Sequence, residues 1–171
     1  MDIKILPLEA GMLVELVDFL NRHGVSRSRE YFERCLEEQN SGSRCTLIAF
    51  AGECPAGTVH LLDNSLYPGF NLSGVPEIND LVVVKAYQRQ GIGEKLVKAC
   101  EELARKRGCP AIGLGVGLYK DYGSAQRLYF RLGYKPDGKG LMYRNEPVVP
   151  GTWAFVDDDL LLYLVKDLKE S

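Results

Sequence analysis

The chain has 171 residues, 46% hydrophobic and 26% charged, with a formal net charge of −2. That describes one globular domain over residues 1–171, without the basic excess of a nucleic-acid binder or the acidic tail of a disordered chain. The five cysteines, Cys35, Cys45, Cys54, Cys100 and Cys109, form no C-x-x-C pair, which argues against a disulfide framework or a metal site and for small buried hydrophobes in a reducing cytoplasm.

"MDIKILPLEAG" lacks the basic flank and long apolar core of a signal peptide, and no apolar run reaches the ~18 residues of a membrane span. A cytoplasmic protein with no membrane contact is expected. "IKIL" predicts a first strand ended by Pro7. The spacing of Met12, Leu13, Leu16, Val17 and Leu20 predicts a helix stopped at Gly24, and Tyr31, Phe32, Cys35 and Leu36 predict a second. His23 falls at the first helix's end. "RCTLIAFAGECPAGTVHLLDN" predicts two strands around a turn at Gly52 and Glu53, with His60 inside the second. Residues 64–75, rich in Gly, Pro, Asn and Ser, predict a long loop of the kind that is often functional.

"EINDLVVV" is the strongest strand. After "QRQGIG" comes a helix with Leu96, Val97, Cys100, Leu103 and Ala104 inward, closed by "RKRG". "AIGLGVGL" predicts a strand whose alternating glycines bare one face for a ligand or another backbone. "SAQRLYFRLG" predicts a short helix, and "GLMYR" and "DLLLYLVKDL" closing strands. The order β-α-α-β-β-β-α-β-α-β-β predicts a mixed sheet flanked by helices.

The loop "QRQGIG" joins a strand to a helix N-terminus. There the first N–H groups lack helical acceptors and the dipole is positive, which suits an anion. Gly91 and Gly93 keep side chains out of the way, and Arg89 adds a charge. No GK[ST] occurs, so a nucleoside-triphosphate P-loop is excluded. Position 96 is leucine and "GLGVGL" lacks the third glycine, so the dinucleotide fingerprint fails too.

"EINDLVVVKAYQRQGIGEKLV" resembles motif A of the GNAT superfamily of N-acetyltransferases, [QR]-x-x-G-x-[GA] after a strand, through Gln88, Gly91 and Gly93. "SAQRLYFRLGYKPDG" resembles motif B, N-x-x-A-x-x-x-Y-x-x-x-G-[FY], through Ala125, Tyr129, Gly133 and Tyr134, with Tyr122 in place of the asparagine. The resemblance covers roughly residues 1 to 145. It implies a single-domain α/β (α+β mixed) GNAT fold: a central, mixed, mostly antiparallel twisted sheet of six to seven strands flanked by about four helices.

The resemblance also implies an activity, transfer of an acetyl group from acetyl-CoA to a primary amine of a small molecule or peptide. The alternatives are a non-catalytic CoA-binding sensor or partner-binding module, or an acyltransferase using a longer acyl-CoA. By resemblance, main-chain N–H groups of Arg89, Gln90, Gly91, Ile92, Gly93 and Glu94 hold the pyrophosphate, and Gln88 is a further cofactor-binding candidate. The pantetheine arm lies along Leu81, Val82 and Val83, with Gly113 and Gly115 as a bared wall opposite. The Leu81 N–H serves the oxyanion. Tyr129, with a phenol pKa ordinarily about 10, protonates the leaving thiolate. Glu77, eleven residues before Gln88, stands where histone-acetylating members carry their base, and Asp80 is a second candidate. An odd separation puts Glu77 and Asp80 on opposite faces of a regular strand. With the asparagine of motif B missing, N–H groups of Gly123 and Ser124 are left to contact coenzyme A. Tyr119 and Tyr122 line the acceptor pocket or cover the core's edge. Residues 146–159, with the single tryptophan Trp153, are candidates for a cover over the acceptor or for a homodimer interface. No metal is expected.

Overall fold

The computed structural model describes residues 2–169. In chain order these form β1 (Ile3–Pro7), α1 (Leu13–Arg22), α2 (Arg29–Asn40), β2 (Arg44–Ala51), β3 (Cys54–Leu62), α3 (Pro68–Asn71) and β4 (Glu77–Val83). They continue with α4 (Ile92–Lys106), β5 (Ala111–Gly117), α5 (Gly123–Arg131), β6 (Lys135–Tyr143), β7 (Glu146–Pro147) and β8 (Leu160–Asp167). The chain is a mixed α/β protein with eight strands and five α-helices among the described residues, one strand and one helix more than the sequence predicts. The additions are β7 and α3. Two and four residues are too short to show a period, and Pro68 at the start of α3 looks like a loop residue although it suits a first helical position.

The chain divides into two compact units, one of Met1–Asp63 with Ile78–Leu103 and one of Asn64–Glu77 with Ala104–Ser171. In the first, the strand order is β1-β2-β3-β4. Leu13, Leu16 and Leu20 of α1 and Phe32 and Cys35 of α2 bury against Ile48 and Val84. The Ser28 side chain caps α2 by accepting the Tyr31 N–H at 3.1 Å. Gly57 lets β4 come close: a Cβ there would stand 2.7 Å from the Val82 carbonyl oxygen.

In the second unit the order is β5-β8-β6-β7, with β5 antiparallel to β8 and β8 to β6. β6 begins at Lys135, well before the predicted "GLMYR". The register of β6 against β8 shifts between Pro136 and Leu141, where Gly138 (φ 84°) and Gly140 (φ 77°) carry the strand through a bulge that the sequence shows only as turn residues. Tyr67, Phe70, Met142 and Tyr163 form this unit's aromatic core.

Candidate active site

β4 leads through a short 3-10 turn, Lys85–Tyr87, into two left-handed residues, Arg89 (φ 63°) and Gly91 (φ 80°). The turn ends where Lys95 N–H donates to the Gly91 carbonyl at 3.0 Å, so the N–H groups of Ile92 and Gly93 precede the first helical bond of α4. A Cβ on Gly91 would meet no atom within 4 Å. Gln88 and Gln90 are spent on the loop itself, donating to the carbonyls of Val83 at 2.9 Å and Ala86 at 3.3 Å. Glu94 pairs with Lys98 at 2.6 Å. Backbone donors, a positive dipole and an open approach remain, and a phosphate group fits there. Upstream, Leu81, Val82 and Val83 are only partly buried, unusual for so apolar a run.

Asp80 has a φ of 46°, the left-handed region, at a strain of roughly 1 kcal/mol or more for a residue with a Cβ. The even alternation along β4 is interrupted there, so odd and even positions no longer assign Glu77 and Asp80 to faces. Asp80 accepts from Arg27 Nε at 3.2 Å, Arg27 Nη2 at 2.7 Å and the Tyr31 hydroxyl at 2.6 Å. His60 Nε2 lies 2.8 Å from the Tyr31 oxygen and 3.8 Å from Asp80, and His60 Nδ1 lies 2.8 Å from Thr46 Oγ1. His60 and Thr46 are fully buried.

Burial pushes the Asp80 carboxyl up, but His60 nearby, the hydrogen bonds from Arg27 and Tyr31 and the Arg27 charge outweigh it, and it titrates well below the usual carboxylate range. Burial lowers the His60 pKa against the opposing pull of Asp80. Burial and the bond to Asp80 raise the Tyr31 phenol. Arg27 and Tyr31 carry no site signal in the sequence, because a pairing across 53 or 49 positions has no period. His23, by contrast, lies exposed at the end of α1, its ring 4.1 Å from that of Phe19.

In the second unit Glu77 is 6% exposed and accepts a short hydrogen bond from Ser65 Oγ, which itself accepts the Tyr67 N–H at 3.0 Å. Tyr129, 7% exposed on α5, packs its ring edgewise on Tyr134. Ser124 is exposed in the first turn of α5.

The glycine face of β5 is not bare. A Cβ on Gly113 would stand 2.3 Å from the Phe70 ring and one on Gly117 2.3 Å from the Tyr122 ring, while one on Gly115 would meet Tyr163 at 3.0 Å. The alternating glycines admit aromatic rings of the same unit, and the expected wall for the pantetheine arm is corrected accordingly. Tyr119 and Tyr122 also donate to the same Asp158 oxygen, Tyr122 at 2.8 Å.

Tyr67 stacks on Tyr163 at 3.7 Å and donates to Asp137 at 2.5 Å. Beside Tyr67, Leu72, Lys139, Met142 and Asn145 line a cavity of about 310 Å³. Trp153, Phe155 and Val156 are exposed. Among the described residues no group of three or more His, Cys, Asp or Glu is placed to hold a metal, and no helix is long and apolar enough to cross a membrane.

A strand feeding a left-handed glycine turn at a helix N-terminus makes this an α/β protein with an anion-binding site. Residues 13–134 match the model of the acetyltransferase (GNAT) family, and the chain belongs to that family. It is thereby an acyl-CoA-dependent N-acetyltransferase, with acetyl-CoA as cosubstrate.

The fold is shared with solved structures of low identity. The PaiA N-acetyltransferase of Thermoplasma acidophilum, in complex with coenzyme A, is 17% identical with a TM-score of 0.68 over 98% of this chain and 99% of that one. YncA from Salmonella typhimurium, with its cofactor acetyl-CoA, is 18% identical with a TM-score of 0.70 over 100% and 96%. The ribosomal-protein-alanine N-acetyltransferase of Brucella melitensis is 18% identical with a TM-score of 0.70 over 96% and 99%. No curated protein matches the chain.

Proposed function

We propose that residues 1–171 act as one N-acetyltransferase domain that moves an acetyl group from acetyl-CoA to a primary amine of a small molecule or peptide. The observation that carries this is the turn at Gly91: left-handed, open in front, and set between the partly open strand Leu81–Val83 and the start of α4. Acetyl-CoA supplies the acetyl group as a thioester. Backbone N–H groups from Arg89 to Glu94 bind its pyrophosphate, with the Arg89 side chain adding charge. Leu81, Val82 and Val83 offer main-chain groups to the pantetheine arm, and Ser124 offers its N–H.

The Leu81 N–H donates to the oxyanion as the amine attacks. Tyr129 gives its proton to the departing thiolate. Glu77 takes the proton of the incoming ammonium, directly or through water. Its burial suits a base, whereas Asp80, held ionised by Arg27 and Tyr31, is a poor proton acceptor.

The test is an acceptor screen over polyamines, aminoglycosides, amino acids and peptide N-termini, read by free thiol release. Peptide N-termini belong in it because one relative of the same fold is a ribosomal-protein-alanine N-acetyltransferase. Thiol release with a primary amine supports the reading. Cofactor binding without turnover on any acceptor points to a CoA sensor.

A further inference from the structure

We propose that Arg27, Tyr31 and His60 are positioning residues that clamp Asp80 in its left-handed conformation and so aim the Leu81 N–H at the acyl carbonyl. This rests on the acyl-transfer reading above. The peptide plane between Asp80 and Leu81 carries that N–H, so the backbone angles at Asp80 set its direction. A φ of 46° is a disfavoured angle for a residue with a Cβ, and at Asp80 the hydrogen bonds of Arg27 and Tyr31 brace it.

The clamp is rooted in the sheet, where Thr46 of β2 faces His60 of β3 in register. Tyr31 gives its single proton to Asp80, so its oxygen accepts from His60 Nε2–H. His60 is then free at Nδ1 to accept from the Thr46 hydroxyl. That fixes the neutral tautomer of a fully buried histidine. From the other side Arg27 takes both carboxylate oxygens, and its Nη1 donates to the Ser26 carbonyl at 2.8 Å. Both Asp80 oxygens are engaged in holding the backbone, and Asp80 acts through Leu81.

The test reads the Leu81 amide by NMR of the ¹⁵N-labelled full chain, titrated with acetyl-CoA and, separately, with CoA, which lacks the acyl carbonyl. In the wild type the Leu81 amide proton moves further with acetyl-CoA than with CoA. Arg27→Met loses that difference while loop 88–94 still responds to both ligands. Adding Asp80→Gly to Arg27→Met restores it, because glycine adopts the left-handed angle without a clamp. Tyr31→Phe, which removes the bond to Asp80 and the one from His60 but leaves both bonds from Arg27, gives a partial loss and serves if Arg27→Met melts below the assay temperature.

The inference is overturned if the difference is absent from the wild type while both ligands bind, if it survives Arg27→Met, or if glycine fails to restore it. Silence of loop 88–94 toward both ligands overturns the cofactor reading itself, and the clamp falls with it.

Discussion

Replacing Gly91 by valine separates what the turn does for the fold from what it does for the ligand. Gly91 sits at φ 80°, where a side chain costs about 1–2 kcal/mol of left-handed strain. No clash adds to this, since a Cβ there meets nothing within 4 Å. For a chain of this size each 1 kcal/mol lowers Tm by about 2–4 °C, so the variant melts about 2–8 °C lower and still folds. The ligand side is harsher. A hydrogen bond to a charged group contributes about 1.5–3 kcal/mol, and denying the phosphates the N–H groups of Ile92 and Gly93 removes two. That loss of about 3–6 kcal/mol weakens Kd at least a hundredfold. Calorimetric titration with acetyl-CoA measures it. A variant melting in the expected range with Kd within about threefold of wild type refutes the placement of the phosphates on this loop.

Other outcomes follow from the same geometry. Tyr129→Phe keeps the buried ring and removes the proton donor, so kcat falls by roughly 10²–10⁴ with acetyl-CoA affinity unchanged; an unaltered kcat makes Tyr129 a core residue. Gly113→Ala drives a methyl into the buried Phe70 ring, which packs edgewise on the stacked Tyr67 and Tyr163, and costs about 1–3 kcal/mol by thermal melt without changing cofactor affinity. Weaker acetyl-CoA binding with an unchanged melt restores the bared-wall reading.

Acid weakens the first unit in two stages. His60 is buried neutral with its pKa lowered, so the unfolded chain takes up a proton first and stability falls as pH drops through about 6.5. Asp80 has a depressed pKa, so its contribution is complete above about 4 and is lost below. In urea melts across pH, His60→Gln flattens the first stage and Asp80→Asn the second. A wild-type profile flat from pH 7 to about 3 contradicts both assignments.

The elements with a sustained period, α1, α2, α4 and β4, stand in the structure within a few residues of where the sequence puts them, because their apolar spacing is the burial pattern itself. The glycine turn was legible for a different reason: few residues besides glycine tolerate the angles it needs. The glycines of β5 were misread because sequence shows a missing Cβ and not what fills its place, which here is Phe70 and Tyr122. The clamp on Asp80 was illegible. Arg27 and Tyr31 around the start of α2, Thr46 on β2 and His60 on β3 come from three separate segments, and nothing local marks a tyrosine on a helix face as the partner of a carboxylate on β4.

The central claim, acetyl-CoA held by the loop at Gly91 for acyl transfer, meets its most direct test in a thermal melt with and without acetyl-CoA. At a ligand concentration a hundred times Kd, binding adds about 2.7 kcal/mol and raises Tm by about 5–10 °C, and Gly91→Val abolishes that rise. A melt unchanged at millimolar acetyl-CoA contradicts the account.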